Sequence, residues 1–549
     1  MLRLLTATLA ASAALAPAIC QEPAPAGPRL VVLISVDQLA TWVFEAAAPH
    51  FAENGGFARL LRHGTRFTNC AYVHGCTATG PGHATLGTGA PAAVHGIVDN
   101  QWLDPVTGAT VYCATTPGAE PVGGGAAGRG PGTLRVPTLG EVLKQQREGA
   151  RVVGLSFKDR GAILPVGERA DAALYFDQGI GHFVTSTAYA GAIPAWVSRF
   201  EAAYPLTQYF GRKWDRFGSP AAFEGLVDDR PFEGPDPNKS RTLPKTIDGG
   251  RKTLRARFFS HLYASPFANE VLVDLARAAM DAYDLGEDEV PDLLAISFSS
   301  PDAVGHQYGP DSHEVRDTLL RLDQELGRLL RTLDARVGQG QYTVLLSSDH
   351  GVGPCPEARV AAGLSGGRDG RLGIKVRAAA EKAMRDAYGE PGERSWVRGI
   401  SGTWLYLDRE NIERAEIDRA DAAARVASAV GEISSLRTAI PTVGDLPEDL
   451  DPELATIFRH TFHPDAGGDV YLIYEPYWLG YPTPTASHGT PWPYDREVPL
   501  IAYGAGIRGG VRHPGAVTPG MAVSIASAVL GIEPPSGATE IVPDGVLRR

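Results

Sequence analysis

Cysteine is scarce in this chain. Five occur in 549 residues, Cys20, Cys70, Cys76, Cys113 and Cys355, and no two are spaced C-x-x-C, which argues against a zinc ribbon. Long apolar runs are missing too. Beyond the N-terminal stretch, none reaches the roughly 18 residues that a membrane span needs. Basic charge is in deficit, with Lys+Arg 51 against Asp+Glu 63 and a formal net charge of −12. That argues against a general nucleic-acid or anionic-membrane surface. It leaves room for a small anionic substrate, because bound metal ions can reverse the field locally. No internal repeat is found.

What is present is ordinary globular composition, 44% hydrophobic and 21% charged, in a chain long enough for a large core. Met1 to Ala18 reads as a secretory signal peptide: Arg3 gives the positive start, Leu4 to Leu15 the apolar stretch, and Ala16-Pro17-Ala18 the cleavage site. A periplasmic or secreted location follows. Cys20 offers a lipid-anchored alternative, but Pro17-Ala18-Ile19 fits poorly with the small residues a lipobox requires, so soluble export is favoured. Residues 19–29 read as a flexible lead. Export permits disulfides, and Cys70, Cys76 and Cys113 are close enough in sequence for two of them to pair.

From residue 30 onward, continuous β-branched and apolar runs alternate with helical patterns. Leu30–Val36, Arg151–Phe157, Asp292–Ser299 and Tyr342–Ser347 read as strands buried on both faces. Asn269–Tyr283 and His313–Val337 read as helices, the second strongly amphipathic. The pattern predicts an α/β fold with a mostly parallel sheet and helices on both faces. Irregular or chemically silent stretches at about 196–262 and 355–465 read as insertions into one domain spanning 30–549. In such sheets, ligands bind beyond the carboxyl ends of the strands.

Three of these strands deliver an acid at or just past that end: Asp37, Asp302 and Asp349. One such Asp is an ordinary turn residue. Three on one sheet edge would repel each other and resist ionisation unless a cation lay among them. Histidines accompany them. His306 is four residues after Asp302, so the two share a helical face. His350 follows Asp349, and His488 opens a loop before a late strand. Three Asp and three His could supply two zinc ions with open positions for substrate, and mixed N and O donors suit zinc better than magnesium or calcium. His83 and His95 are read as structural.

A hydroxyl for chemistry is offered by Thr79, in Cys76-Thr77-Ala78-Thr79-Gly80-Pro81-Gly82-His83. Pro81 places the start of any helix at or after itself, which puts Thr79 just ahead of a helix N-terminus that favours an anion. Alone, the stretch would be a Gly/Pro loop, and Lys158-Asp159-Arg160 a solvated turn.

Together, Asp37, Thr79-Gly-Pro-Gly-His83, His95-Gly-Ile-Val-Asp-Asn100, Lys158-Asp-Arg160-Gly, Asp302-Ala-Val-Gly-His306, Asp349-His350-Gly and His488-Gly resemble the alkaline phosphatase superfamily. The likeness is closest to bacterial, PafA-like alkaline phosphatases with a threonine nucleophile, and it runs from about residue 30 to 505. The resemblance implies that Thr79 is the nucleophile. It implies that Asp37, Asp349 and His350 hold one zinc, which also contacts Thr79, and that Asp302, His306 and His488 hold the other. Asn100, Lys158 and Arg160 would grip the non-bridging phosphate oxygens. A sulfatase of the superfamily needs Cys or Ser where Thr79 stands and Arg where His83 stands. Phosphodiesterases of the superfamily lack the Lys/Arg pair, so Lys158 and Arg160 favour monoesters. Lys158 could also fill much of the place of a third, magnesium site, so none is expected. The expectation is an exported, two-zinc phosphate monoesterase acting through a phosphothreonine and favoured as a monomer. The alternatives are a phosphodiesterase or nucleotide pyrophosphatase on the same scaffold, or a non-catalytic zinc- or phosphate-binding protein.

Overall fold

The computed structural model describes residues 27–548 apart from 126 and 393. The signal-peptide, most of the flexible-lead and the Cys20 readings lie outside the described residues. Among those described, no helix is long and apolar enough to cross a membrane.

A ten-stranded sheet forms the centre. Its middle five strands run Tyr342–Ser347, Leu30–Val36, Asp292–Phe298, Val152–Ser156 and Ala172–Asp177, all parallel. Antiparallel strands flank them: Leu500–Gly504 on one side and His182–Ser186 on the other. Leu500–Gly504, the late strand expected beyond His488, therefore runs against its neighbour Tyr342–Ser347. The first strand shows why the runs are apolar throughout. Leu30, Val32, Ile34 and Val36 face one core, shared with helices Phe267–Tyr283 and His313–Leu333. Val31 and Leu33 face a second core, shared with helices Leu139–Gln146 and Met521–Leu530. A strand covered on both faces has no polar side to show.

Register then fixes what stands at the carboxyl edge. Leu30 pairs with Tyr342 and with Asp292, and Leu293 pairs with Val152. Continued past the last paired residues, these ladders set Asp37 level with Asp349 and Ser299, and Ser299 level with Lys158. Four separate segments thus reach one line.

A second, four-stranded antiparallel sheet runs Val397–Ser401, Trp404–Leu407, Val470–Tyr474, Leu436–Pro441. Helices Leu372–Tyr388 and Arg419–Gly431 cover it and share its own apolar core, with Val376, Met384, Leu405, Val426 and Leu472.

Two expectations change. The helix after the Thr79 turn spans Thr79–Thr88, so Thr79 is its first residue rather than a residue ahead of it. Pro81 is tolerated because the N–H groups of a first turn have no partner within the helix. The pairing that export would permit among Cys70, Cys76 and Cys113 does not form either. Cys70, Cys76, Cys113 and Cys355 are all free and buried. Cys70 bridges to Val517 in the sheet margin, while Cys113 packs against Gly80, so sequence proximity does not bring these thiols together.

Candidate active site

The line of strand ends becomes a site because a helix is driven into it. Gly82, in the first turn after Thr79, lies so close to Asp349 that a Cβ there would stand 1.8 Å from the Asp349 carbonyl oxygen. Only glycine admits that approach. It brings Thr79, which is almost wholly buried, against the carboxylates.

Lys158 Nζ donates to Asp37 Oδ2 and to Asp302 Oδ2, each at 2.6 Å, and lies 3.3 Å from Thr79 Oγ1. Arg160 Nη2 reaches the same hydroxyl at 3.5 Å. Asn100 Oδ1 accepts from the Gly80 N–H at 2.7 Å, which holds the asparagine at the start of the Thr79 helix. All ten residues singled out in the sequence meet here.

The carboxylates and imidazoles fall into two groups. In the first, Asp37, Asp349 and His350 are completely buried. Asp37 Oδ1, Asp349 Oδ2 and His350 Nε2 have no hydrogen-bond partner, yet His350 Nε2 lies 3.5 Å from each of the two oxygens. In the second, Asp302 Oδ1 faces His306 Nε2 at 3.1 Å and His488 Nε2 at 3.6 Å. His350 and His488 stack with ring centres 3.6 Å apart, so His350 borders both groups.

The donor chemistry fits metal ions. Each imidazole of the two groups donates its Nδ1–H to a backbone carbonyl: His306 to Ala486 at 2.7 Å, His350 to Gly351 at 2.9 Å, and His488 to Thr77 at 2.8 Å. That fixes the tautomer and leaves each Nε2 with a lone pair aimed at a carboxylate oxygen. In the first group, where His350 Nε2, Asp37 Oδ1 and Asp349 Oδ2 face one another unbonded and completely buried, that arrangement calls for a cation.

Electrostatics tells the same story. Burial and the adjacent Asp349 push Asp37 well up, against the pull of Lys158. Burial acts on Asp302 too, but His306 and Lys158 outweigh it and hold the carboxyl well below its usual range. Asp349 is likewise held down, with His350 and His83 overcoming burial. Burial, then the neighbouring His350 and His306, keep His488 well below the ordinary histidine value. Burial opposes the charge on Lys158, yet Asp302 and Asp37 prevail and keep the ammonium charged. The strain of three crowded carboxylates settles on Asp37.

The sequence matches the family described as type I phosphodiesterase / nucleotide pyrophosphatase over residues 31–451. The chain belongs to this family, within the alkaline phosphatase superfamily. Among curated relatives, it is 30% identical over 519 residues to alkaline phosphatase PhoV of Synechococcus elongatus, covering 93% of this chain and 92% of that one. It is 29% identical over 528 residues to a calcium-transporting ATPase of Myroides odoratus, covering 93% of each. It is also 29% identical over 523 residues to alkaline phosphatase PafA of Elizabethkingia meningoseptica, again 93% of each. A crystal structure of alkaline phosphatase PafA superposes with a TM-score of 0.86 at 27% identity, covering 96% of this chain and all of that one.

Within this phosphodiesterase-family fold, several residues of the site carried no signal in the sequence. Tyr112 OH accepts from Arg160 Nη1 at 3.1 Å and donates to Asp159 Oδ1 at 2.5 Å, and Asp159 is paired with Arg129 at 2.9 Å. This chain of contacts holds the Arg160 fork from behind. His83, read as structural, donates from Nδ1 to the Thr79 carbonyl at 2.8 Å, lies 3.2 Å from Asp349 Oδ2, and accepts at Nε2 from Ser297 at 2.7 Å. Its place four residues after Thr79, one helical turn on, was the only available hint. His95 instead bonds Thr85.

Proposed function

We propose that this chain is an exported, zinc-dependent alkaline phosphatase that hydrolyses phosphate monoesters through a phosphothreonine and releases inorganic phosphate. The observation that carries the reading is the convergence of Lys158 and Arg160 on the Thr79 hydroxyl, beside two Asp/His groups. A monoester dianion brings one more negative charge than a diester. A lysine and a forked arginine supply positive charge for it where a diester would present a substituent. The names of the PhoV and PafA relatives support the same activity.

In this reading Asp37, Asp349 and His350 hold one zinc, and Asp302, His306 and His488 the other. Zinc bound there would supply Lewis acidity to the Thr79 hydroxyl and to the leaving oxygen. The Thr79 oxygen gives its proton to solvent and attacks phosphorus in line, the P–O bond to the leaving group breaks, and the departing alkoxide takes a proton from water. Water then attacks the phosphothreonine and frees phosphate, returning the Thr79 hydroxyl. Asn100, Lys158 and Arg160 orient the phosphoryl oxygens and stabilise the charge that gathers on them. The domain reading accompanies this: one catalytic domain over 30–549, with inserted segments at about 196–262 and 355–465. Met1–Ala18 is taken as the export signal, and a monomer as the working state.

The family description favours a second reading, a phosphodiesterase or nucleotide pyrophosphatase on the same scaffold. Rates on a phosphate monoester and its matching methyl diester separate the two. A monoester preference that collapses in Lys158→Ala supports the phosphatase. A diester preference in the unaltered chain replaces it with the second reading. Metal analysis before and after chelation, with activity followed in parallel, tests the zinc assignment. If Thr79→Ala released phosphate at the unaltered rate, neither enzyme reading would have the right nucleophile.

A further inference from the structure

Gln38, the residue directly after Asp37, is buried and stands at φ +67°. A residue with a Cβ resists that left-handed region, so something in the surroundings must hold it there. The conformation turns both of its donors inward. The backbone N–H donates to Asp349 Oδ1 at 3.2 Å, and the side-chain amide Nε2 donates to Asp302 Oδ1 at 2.7 Å. One residue therefore grips a carboxylate of each Asp/His group. Room for the amide comes from Gly305, one turn into the helix that carries Asp302 and His306. A Cβ there would stand 2.0 Å from Gln38 Oε1.

We propose that Gln38 is a positioning residue that sets the two metal-binding groups relative to each other, and that Gly305 is small in order to admit its amide. The inference rests on the reading that the two groups hold zinc. An amide suits the task on physical grounds. It donates to a carboxylate without adding charge to a site that already contains three Asp, Lys158 and Arg160. It bonds the same Asp302 oxygen that faces His306 and His488, so it fixes the rotation of that carboxylate toward the imidazoles. A glutamate there would set a fourth negative charge against Asp302.

The test is a competition titration of zinc against a chromophoric chelator, run on the full chain alongside thermal melts. Gln38→Gly keeps the N–H bond to Asp349 and suits the positive φ, so the variant should still fold and melt cooperatively. It loses only the amide, and one of the two zinc affinities is expected to fall by about 10–100-fold. Gln38→Glu should lose more. Gly305→Ala meets only the far end of a flexible side chain, so it displaces the amide without touching Gln38 and should reproduce the loss. In the Gln38→Gly background, Gly305→Ala should then add nothing, because the two changes act through one contact. Zinc affinities in Gln38→Gly and Gly305→Ala equal to those of the unaltered chain overturn the proposal, as does a shift confined to melting temperature. So does full additivity of the two substitutions. A starting chain that takes up no zinc overturns the proposed function and this inference with it. A chain that takes up two, with variants that match it, overturns this inference alone.

Discussion

The two Asp/His groups are built from the same kinds of side chain but stand differently toward water. Asp37, Asp349 and His350 are sealed, while His306 keeps 26% and His488 8% of its side chain exposed. The sealed group sits level with the strand ends, and the open group rides on a helix and a loop beyond them. The protonation tendencies diverge accordingly. Burial pulls His350 below the ordinary histidine value, whereas Asp302 overcomes burial at His306 and raises it. The difference suits a division of labour in which the sealed group serves the hydroxyl of the chain itself and the open group serves the part of the substrate that leaves. The sheet gives rigidity to the first, and the helix and loop give access to the second.

The sharpest way to break that division is Thr79→Ala. If the sealed group exists to serve Thr79, monoester hydrolysis should fall by about 10⁴-fold or more, as it does when a nucleophile is removed elsewhere. The open group should keep its zinc affinity in the same protein, measured by competition titration. Loss of zinc from the open group in Thr79→Ala would show that the groups do not act separately. Lys158→Ala comes next. Lys158 bonds one carboxylate of each group, so it belongs to neither. Removing it should cost about 10²–10³-fold in kcat/KM on a monoester and far less on the matching diester. An equal loss on both substrates would make Lys158 a strut between the groups and no more.

A smaller effect is expected from His306→Ala. The open group should lose zinc affinity by about tenfold or more while the sealed group holds its own. Against a chelator, the unaltered chain should release zinc in two phases. His306→Ala should hasten only the faster one, and a single phase in both proteins would erase the distinction between the groups.

How much of this was readable in advance follows from where the information sits. Strands such as Leu30–Val36 and Tyr342–Ser347 were legible to the residue because burial on both faces leaves one kind of side chain permissible along their whole length. The acids at their ends were legible only as a set, since one such Asp is an ordinary turn residue while three on one sheet edge repel each other unless a cation lies among them. Of the antiparallel flanks, Leu500–Gly504 was legible as a strand though not in its direction, and His182–Ser186 was not legible. His182–Ser186 alternates no more clearly than many loops, and its pairing is decided by tertiary context. The start of the Thr79 helix was misjudged for a local reason. Pro81 was read as a boundary, although the third position of a helix needs no N–H. The state of the cysteines was not legible, because nearness along the chain leaves nearness in space open. Gln38 and Tyr112 were invisible for a different reason: each acts on a residue that acts, and a single amide or phenol has no spacing to betray it.

The smallest expected effect concerns Asp99, which belongs to neither group and serves as the control for what burial alone does to a carboxyl beside this site. Its Oδ1 accepts from the Asn100 N–H at 2.6 Å. Burial raises its carboxyl from 3.8 to about 6, against the pull of that N–H and of Arg160. Between those two values the folded chain keeps a proton that the unfolded chain has released. Stability is therefore favoured below the unfolded value and is lost as pH climbs toward the folded one. A shift of this size corresponds to about 3 kcal/mol in a fully sealed site, and the part of Asp99 open to solvent brings it to about 1–2 kcal/mol. Asp99→Asn should flatten that slope in denaturant melts taken from about pH 4 to pH 6, with the zinc affinities of both groups unchanged. If the slope stays in Asp99→Asn, it comes from other carboxyls that burial raises, Asp292 and Asp323 among them, each pushed up to about 6.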